Sequence, residues 1–119
     1  MHKQVIVIRK DLNMRKGKMV AQGAHASQLA IMKSGETSEW ESWYEAWMSG
    51  SFTKIALGVS SETELLSMMN AAKEAGLPVS LVEDSGLTEF HGQITRTAIG
   101  IGPAPVELID AITGGLPLL

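Results

Sequence analysis

The chain has 119 residues, 45% of them hydrophobic, with 12 glycines and no cysteine. That length holds one domain with a real core, the absence of thiols excludes disulfides, cysteine nucleophiles and Cys-ligated metals, and no apolar run nears the roughly 20 residues of a membrane span or forms a signal-peptide core. Net charge is −3, at first sight against a nucleic-acid partner, yet in residues 1–18 Lys3, Arg9, Lys10, Arg15, Lys16 and Lys18 face Asp11 alone, a balance of +5 against −8 for the remainder. The expectation is a soluble, cytoplasmic protein of a single domain over residues 1–119, with its positive charge gathered at one stretch.

Val5 to Arg9 reads as a short strand, apolar enough to be buried on both faces. Asp11 to Asn13 makes a turn, and Asn13 is placed to cap a helix from Met14 or Arg15 to Met32. Along that helix Lys18, Gln22 and His25 step by four and then three residues, which puts them on one face, continued by Leu29 and Met32. Ala21, Gly23, Ala24 and Ala26 are small, as close packing on a sheet requires. Ser34 to Ser38 breaks the helix, and Thr37 or Ser38 caps a second, with Glu39 and Glu41 in its first turn. Trp40, Trp43, Tyr44 and Trp47 form a stripe on it, read as core or a dimer contact rather than a base-stacking platform.

Phe52 to Val59 is a second strand, with Lys54 facing outward. Ser60 or Ser61 caps a third helix carrying Leu65, Leu66, Met68, Met69 and Ala72, and Gly76 closes it ahead of Pro78. Val79 to Val82 is a third strand ending on the turn Glu83-Asp84-Ser85-Gly86. A loop from Leu87 to Gln93 leads to a fourth strand, from Ile94 or Thr95 to Ile101, which Gly102-Pro103 is expected to stop. A short helix, Pro105 to Ile112, comes last.

The order β-α-α-β-α-β-β-α predicts an α/β fold, a three-layer α/β/α domain around a four-stranded mixed sheet. Strands one to three are separated by helices and can run parallel. The loop before strand four is short for a parallel crossover, so that strand is expected to run antiparallel to strand three. Asp84 then ends one strand where the next begins, near Thr95 and Thr97, which share a face while Arg96 points away. Lys18 also lies just beyond the carboxyl end of a strand, the edge where parallel sheets bind ligands. Lys18, Gln22, His25, Asp84 and Thr97 are thus expected to converge.

Such a group suits water attack on an activated carbonyl without a covalent intermediate. Lys18 is a fixed cation for a phosphate or a developing oxyanion. Asp84 orients or deprotonates a water, and the Thr97 hydroxyl or Gln22 amide holds the water or a carbonyl. Taken singly each has an ordinary reading: a surface lysine, a turn aspartate, a strand threonine, a satisfied histidine. His2, His25 and His91 lack metal-ligand spacing, no G-x-S-x-G elbow is present, and Arg15-Lys16-Gly17-Lys18 lacks the P-loop frame.

Arg9-Lys10-Asp11-Leu12-Asn13-Met14, then Gly17-Lys18, Ala21-Gln22 and His25-Ala26, resemble the amino-terminal signature of the type 2 peptidyl-tRNA hydrolases. The resemblance continues through Trp47 and Gly50 before Lys54-Ile55, through Asp84-Ser85-Gly86 with Thr88, and through Thr97 before Gly100-Ile101-Gly102-Pro103. It implies hydrolysis of the ester joining a peptide to the terminal ribose of tRNA, with peptidyl-tRNA as partner, no cofactor, no metal and often a homodimer. By position it implies Lys18, Asp84 and Thr97 as the catalytic group, with Gln22, His25 and Thr95 in support. The basic beginning, Arg9, Lys10, Arg15 and Lys16, is read as the part that receives the tRNA backbone. Two other functions fit a strand-helix alternation: a non-catalytic RNA-binding or ligand-sensing regulatory module, and a general small esterase.

Overall fold

Val5, Val7 and Ile8 are fully buried, and this apolar strand forms the inside of the sheet. The structure, a computed structural model, describes residues 1–86 and 90–119; Thr88 and the start of the loop read from Leu87 to Gln93 lie outside the described residues. The elements run β1 (His2–Arg9), α1 (Lys16–Ile31), a 3-10 turn (Ser34–Glu36), α2 (Ser38–Ser49), β2 (Lys54–Val59), α3 (Glu62–Glu74), β3 (Val79–Asp84), β4 (Thr95–Pro105) and α4 (Val106–Thr113). The sheet has four strands in the order β2-β1-β4-β3. β1 and β2 are parallel, while β4 runs antiparallel to both β1 and β3, so the mixed sheet expected from the element order is the one formed.

Helices cover both faces, unequally. Leu65 and Ala72 of α3, Ile109 of α4 and Trp43 of α2 pack with Val5, Val7, Ile99 and Ile101 in the main core. Across the sheet Ala26 of α1 packs with Ile8, Val82 and Ala98, flanked by Met14 and Met19. The tryptophan stripe is therefore core-facing: Trp47 is buried with its indole N–H on the Thr53 carbonyl, and Trp40 donates to the Gly76 carbonyl, tying α2 to the end of α3.

Local chemistry sets the ends of the elements. The Thr37 hydroxyl accepts from Trp40 N–H to cap α2. Ser61 accepts from Glu64 N–H at α3 while the Glu64 carboxylate returns to Ser60 N–H, a reciprocal cap. Asn13 does not cap α1. It sits at φ +52, a left-handed turn conformation that asparagine tolerates, and Arg15 is the N-cap residue, with no side-chain capping bond to the helix. Nor does Gly102-Pro103 stop β4, which runs on to Pro105 opposite His2 and Lys3. The register slips between Lys3 and Val5 and so absorbs the dipeptide. Beyond α4 an unanticipated tail pairs with β2: Gly58 N–H donates to the Pro117 carbonyl and Leu119 N–H to that of Ala56.

α1 sits on the sheet at a glycine. A Cβ on Gly100 would lie 2.3 Å from the Ala26 carbonyl oxygen, closer than any real contact. Buried Gln4 fastens the same helix lower down, its amide donating to the Ser27 and Gly102 carbonyls while its oxygen accepts from the Ser27 hydroxyl. Gly100→Ala must push α1 off β4, and the expected loss is about 3 kcal/mol of unfolding free energy, as overpacking a rigid core costs. Chemical denaturation reads it, and an unchanged midpoint would show that the helix can slide freely.

Candidate active site

The first two turns of α1 overhang the carboxyl end of β1, and β3 ends beside them at Asp84. The Lys18 ammonium donates to Asp84 Oδ2 at 2.7 Å, and the Gln22 amide nitrogen donates to the same oxygen at 3.3 Å. Gly86 N–H donates to Oδ1 at 2.7 Å, an Asx turn in which a carboxylate binds the backbone two residues on. Behind them the Thr97 hydroxyl donates to Gln22 Oε1. Residues from α1, β3, the following turn and β4 are thus joined in one chain of hydrogen bonds.

Burial grades that chain. The side chains of Lys18 and Asp84 keep 13% and 12% of their surface, so the ion pair is sheltered yet reachable. Gln22 is 2% exposed and Thr97 not at all. The Lys18 ammonium at its side holds the Asp84 carboxyl below the usual carboxylate range, against the opposing effect of burial, and Gly86 N–H and the His25 charge add to the lowering.

The remaining expected residues fall at the rim. His25 is exposed and borders a shallow groove with Val82 and Glu83. Thr95 pairs with Asp84 across the strands, but its hydroxyl is spent on the Gln93 carbonyl. Arg9 is drawn inward: it binds Asp11 through two nitrogens, reaches Glu62 at 3.7 Å and donates to the Arg96 carbonyl, with 12% of its side chain exposed. Lys10, Arg15 and Lys16 stay exposed at the strand-to-helix turn. Among the described residues no group of three or more His, Asp or Glu side chains is set to hold a metal, and no helix is long and apolar enough to cross a membrane.

Two further residues complete the site that were not among its expected catalytic and supporting residues. Gly86 is required twice over, at φ +83 and with Gln93 backbone 2.3 Å from where its Cβ would stand; the Asp-x-Gly spacing that signals an Asx turn pointed to it. Phe90 lies under Lys18, with the ammonium 5.6 Å from the ring centre, a contact that walls the cation from solvent. An aromatic in a loop carries no such signal on its own.

Comparison with known proteins places the chain among relatives. A family model described as "Peptidyl-tRNA hydrolase PTH2" matches residues 2–119. A protein of Aeropyrum pernix named peptidyl-tRNA hydrolase is 47% identical over 120 residues, covering 98% of this chain and 95% of its own. Proteins of the same name from Metallosphaera sedula and Sulfolobus acidocaldarius are 41% and 42% identical, each covering 98% of this chain and 99% of the relative.

Because Lys18 is the largest cause of the lowered Asp84 pKa, Lys18→Met is expected to raise it, as a carboxyl carbon NMR titration would read. The sign for stability follows. A carboxylate with a depressed native pKa stabilises the fold above its unfolded value, roughly pH 4, and that contribution is lost as pH falls through the native value. Wild type should lose more stability than Lys18→Met between pH 7 and acid, and equal losses would show that the pair does not couple.

Proposed function

The chain belongs to the PTH2 family of peptidyl-tRNA hydrolases, and from that premise we propose that it hydrolyses the ester of peptidyl-tRNA at a site built from Lys18, Asp84 and Thr97, releasing peptide and free tRNA. The observation that carries the reading is the Asp84 carboxylate, fixed by three N–H donors beside a sheltered cation at the carboxyl edge of a sheet.

An ionised carboxylate has about four acceptor positions. Lys18 and Gln22 occupy those on Oδ2 and Gly86 one on Oδ1, which leaves Oδ1 a direction for a water molecule. A carboxylate with a lowered pKa is a weak base, so Asp84 serves first to aim the water at the ester carbon. Negative charge then develops on the carbonyl oxygen, and the Lys18 ammonium stabilises it in a partly dry site. The C–O bond to the ribose then breaks, and the ribose oxygen leaves as a hydroxyl with the proton released by the attacking water, which completes the hydrolysis. His25, at the rim, faces the incoming substrate, and Lys10, Arg15 and Lys16 form the exposed basic edge that meets phosphates. Arg9, with its guanidinium committed to Asp11, Glu62 and the Arg96 carbonyl, holds that edge in shape.

Homodimer formation is the companion proposal, and the free flank of α1 is its surface. From Met19 to Met32 the helix carries no Asp, Glu, Lys or Arg, and Val20 is 73% exposed. Val20, Ala24 and Ile31 line a largely apolar groove with Ile6, Ile8 and Ala56, and Lys16 and Lys54 line it as well. Exposed apolar side chains beside such a groove favour being covered. The lining of that groove is mostly apolar, and an apolar strip meets its own copy well. The 16-residue helix spans about 24 Å, long enough to anchor the ~800 Å² a protomer gives to a stable interface.

Two experiments test these readings. In a turnover assay on peptidyl-tRNA, Asp84→Asn should cut kcat by at least ~100-fold with tRNA binding retained, EDTA should change nothing, and Lys16→Ala should weaken binding and flatten its salt dependence. Wild type that binds tRNA without turnover would establish the non-catalytic module instead, and equal rates on simple esters the general esterase. In sedimentation, wild type should run at twice its chain mass and Val20→Glu at the monomer mass; a monomeric wild type sinks the dimer.

A further inference from the structure

β3 and β4 pair with one residue too many. Val82 lies opposite Ala98 and Glu83 opposite Arg96, so Thr97 has no partner on β3. Ala98 packs toward α1 with Ile8 and Val82, while Ile99 packs into the core on the other side. Strict alternation would then turn Thr97 away from α1. The bulge turns it back, so Thr97 and Ala98 both face the helix and the Thr97 hydroxyl meets Gln22.

The direction of every bond in this chain is fixed from one end. Ionised Asp84 only accepts, so the Gln22 NH2 must face it and Oε1 must face the other way. Oε1 only accepts as well, so the Thr97 hydroxyl must donate its single proton there. That proton is committed, and the residue has no exposed surface on which a substrate could rest.

We propose that Thr97 acts on the reaction without touching the substrate, as a positioning residue that locks the Gln22 amide with its NH2 toward Asp84. Without the hydroxyl behind it, the amide turns over at little cost, and its oxygen then opposes the carboxylate. Asp84 loses one of three donors and its aim. The claim rests on the reading of Lys18 and Asp84 as the reacting pair.

A double-mutant cycle tests it. Thr97→Val keeps the shape and removes the hydroxyl, Gln22→Met removes the amide, and Thr97→Ser keeps the donor. Thr97→Val and Gln22→Met should each lower kcat on peptidyl-tRNA by roughly tenfold with KM nearly unchanged, and the double variant should be no slower than either single. Thr97→Ser should stay near wild type. The Asp84 carboxyl titration, followed by NMR, should move upward in both single variants and not in Thr97→Ser. Multiplicative losses in the double variant, or a Thr97→Val protein with wild-type titration, would overturn the proposal in favour of direct contact or of no role. Thr97→Ala replaces Thr97→Val should the latter fail to fold. If wild type itself proves inactive on peptidyl-tRNA, the catalytic reading falls, but the Asp84 titration still decides whether Thr97 positions it.

Discussion

Everything in this site depends on how close α1 comes to β4. At Gly100 the Ala26 carbonyl occupies the space where any side chain would begin, and Gln4 pins the same helix through Ser27. A helix standing one methyl group further out would carry the Gln22 amide away from Thr97 and the Lys18 ammonium away from Asp84. Charge-assisted bonds of 2.7 Å do not stretch by that amount and survive. The backbone contact is thus the reference surface from which the ion pair is measured, and its energetic weight falls on a residue with no functional group.

That dependence explains which parts of the protein were legible in the chain alone. The stepping of Lys18, Gln22 and His25 is a property of any helix, and the return of β4 beside β3 follows from a short connection. Both are local, and both were read correctly. The bulge at Thr97 is not local: it exists because β3 and β4 fall out of register by one residue, and no periodicity within either strand reveals it. Arg9, expected on an open basic edge, is drawn inward for a similar reason. Its carboxylate partner Asp11 is two positions away, but Glu62 and the Arg96 carbonyl arrive from α3 and β4. Asn13 shows the opposite case, where a residue with two common uses, cap and left-handed turn, is put to the second.

The charge of −3 conceals a molecule with two electrical sides. Exposed Glu39, Glu41 and Glu45 line α2 on the face opposite α1, while Lys10, Arg15 and Lys16 gather where β1 hands over to α1. A polyanion approaching such a surface is repelled from the α2 side and drawn to the α1 side, so orientation is settled at long range before any base or ribose is touched. Overall acidity and tRNA recognition are therefore compatible, provided the positive residues are placed together.

The tail after α4 bears on a different matter, how the molecule behaves at high concentration. An outer strand normally leaves a row of N–H and C=O groups that any extended chain can join, and β2 would be such a strand. Pro117 and Leu119 occupy that row through Gly58 and Ala56. Strand-to-strand growth of the sheet into fibres is obstructed on this side, even though apolar surface lies exposed next to it. The protein can keep a sticky helix flank while the middle of its nearest backbone edge is already paired.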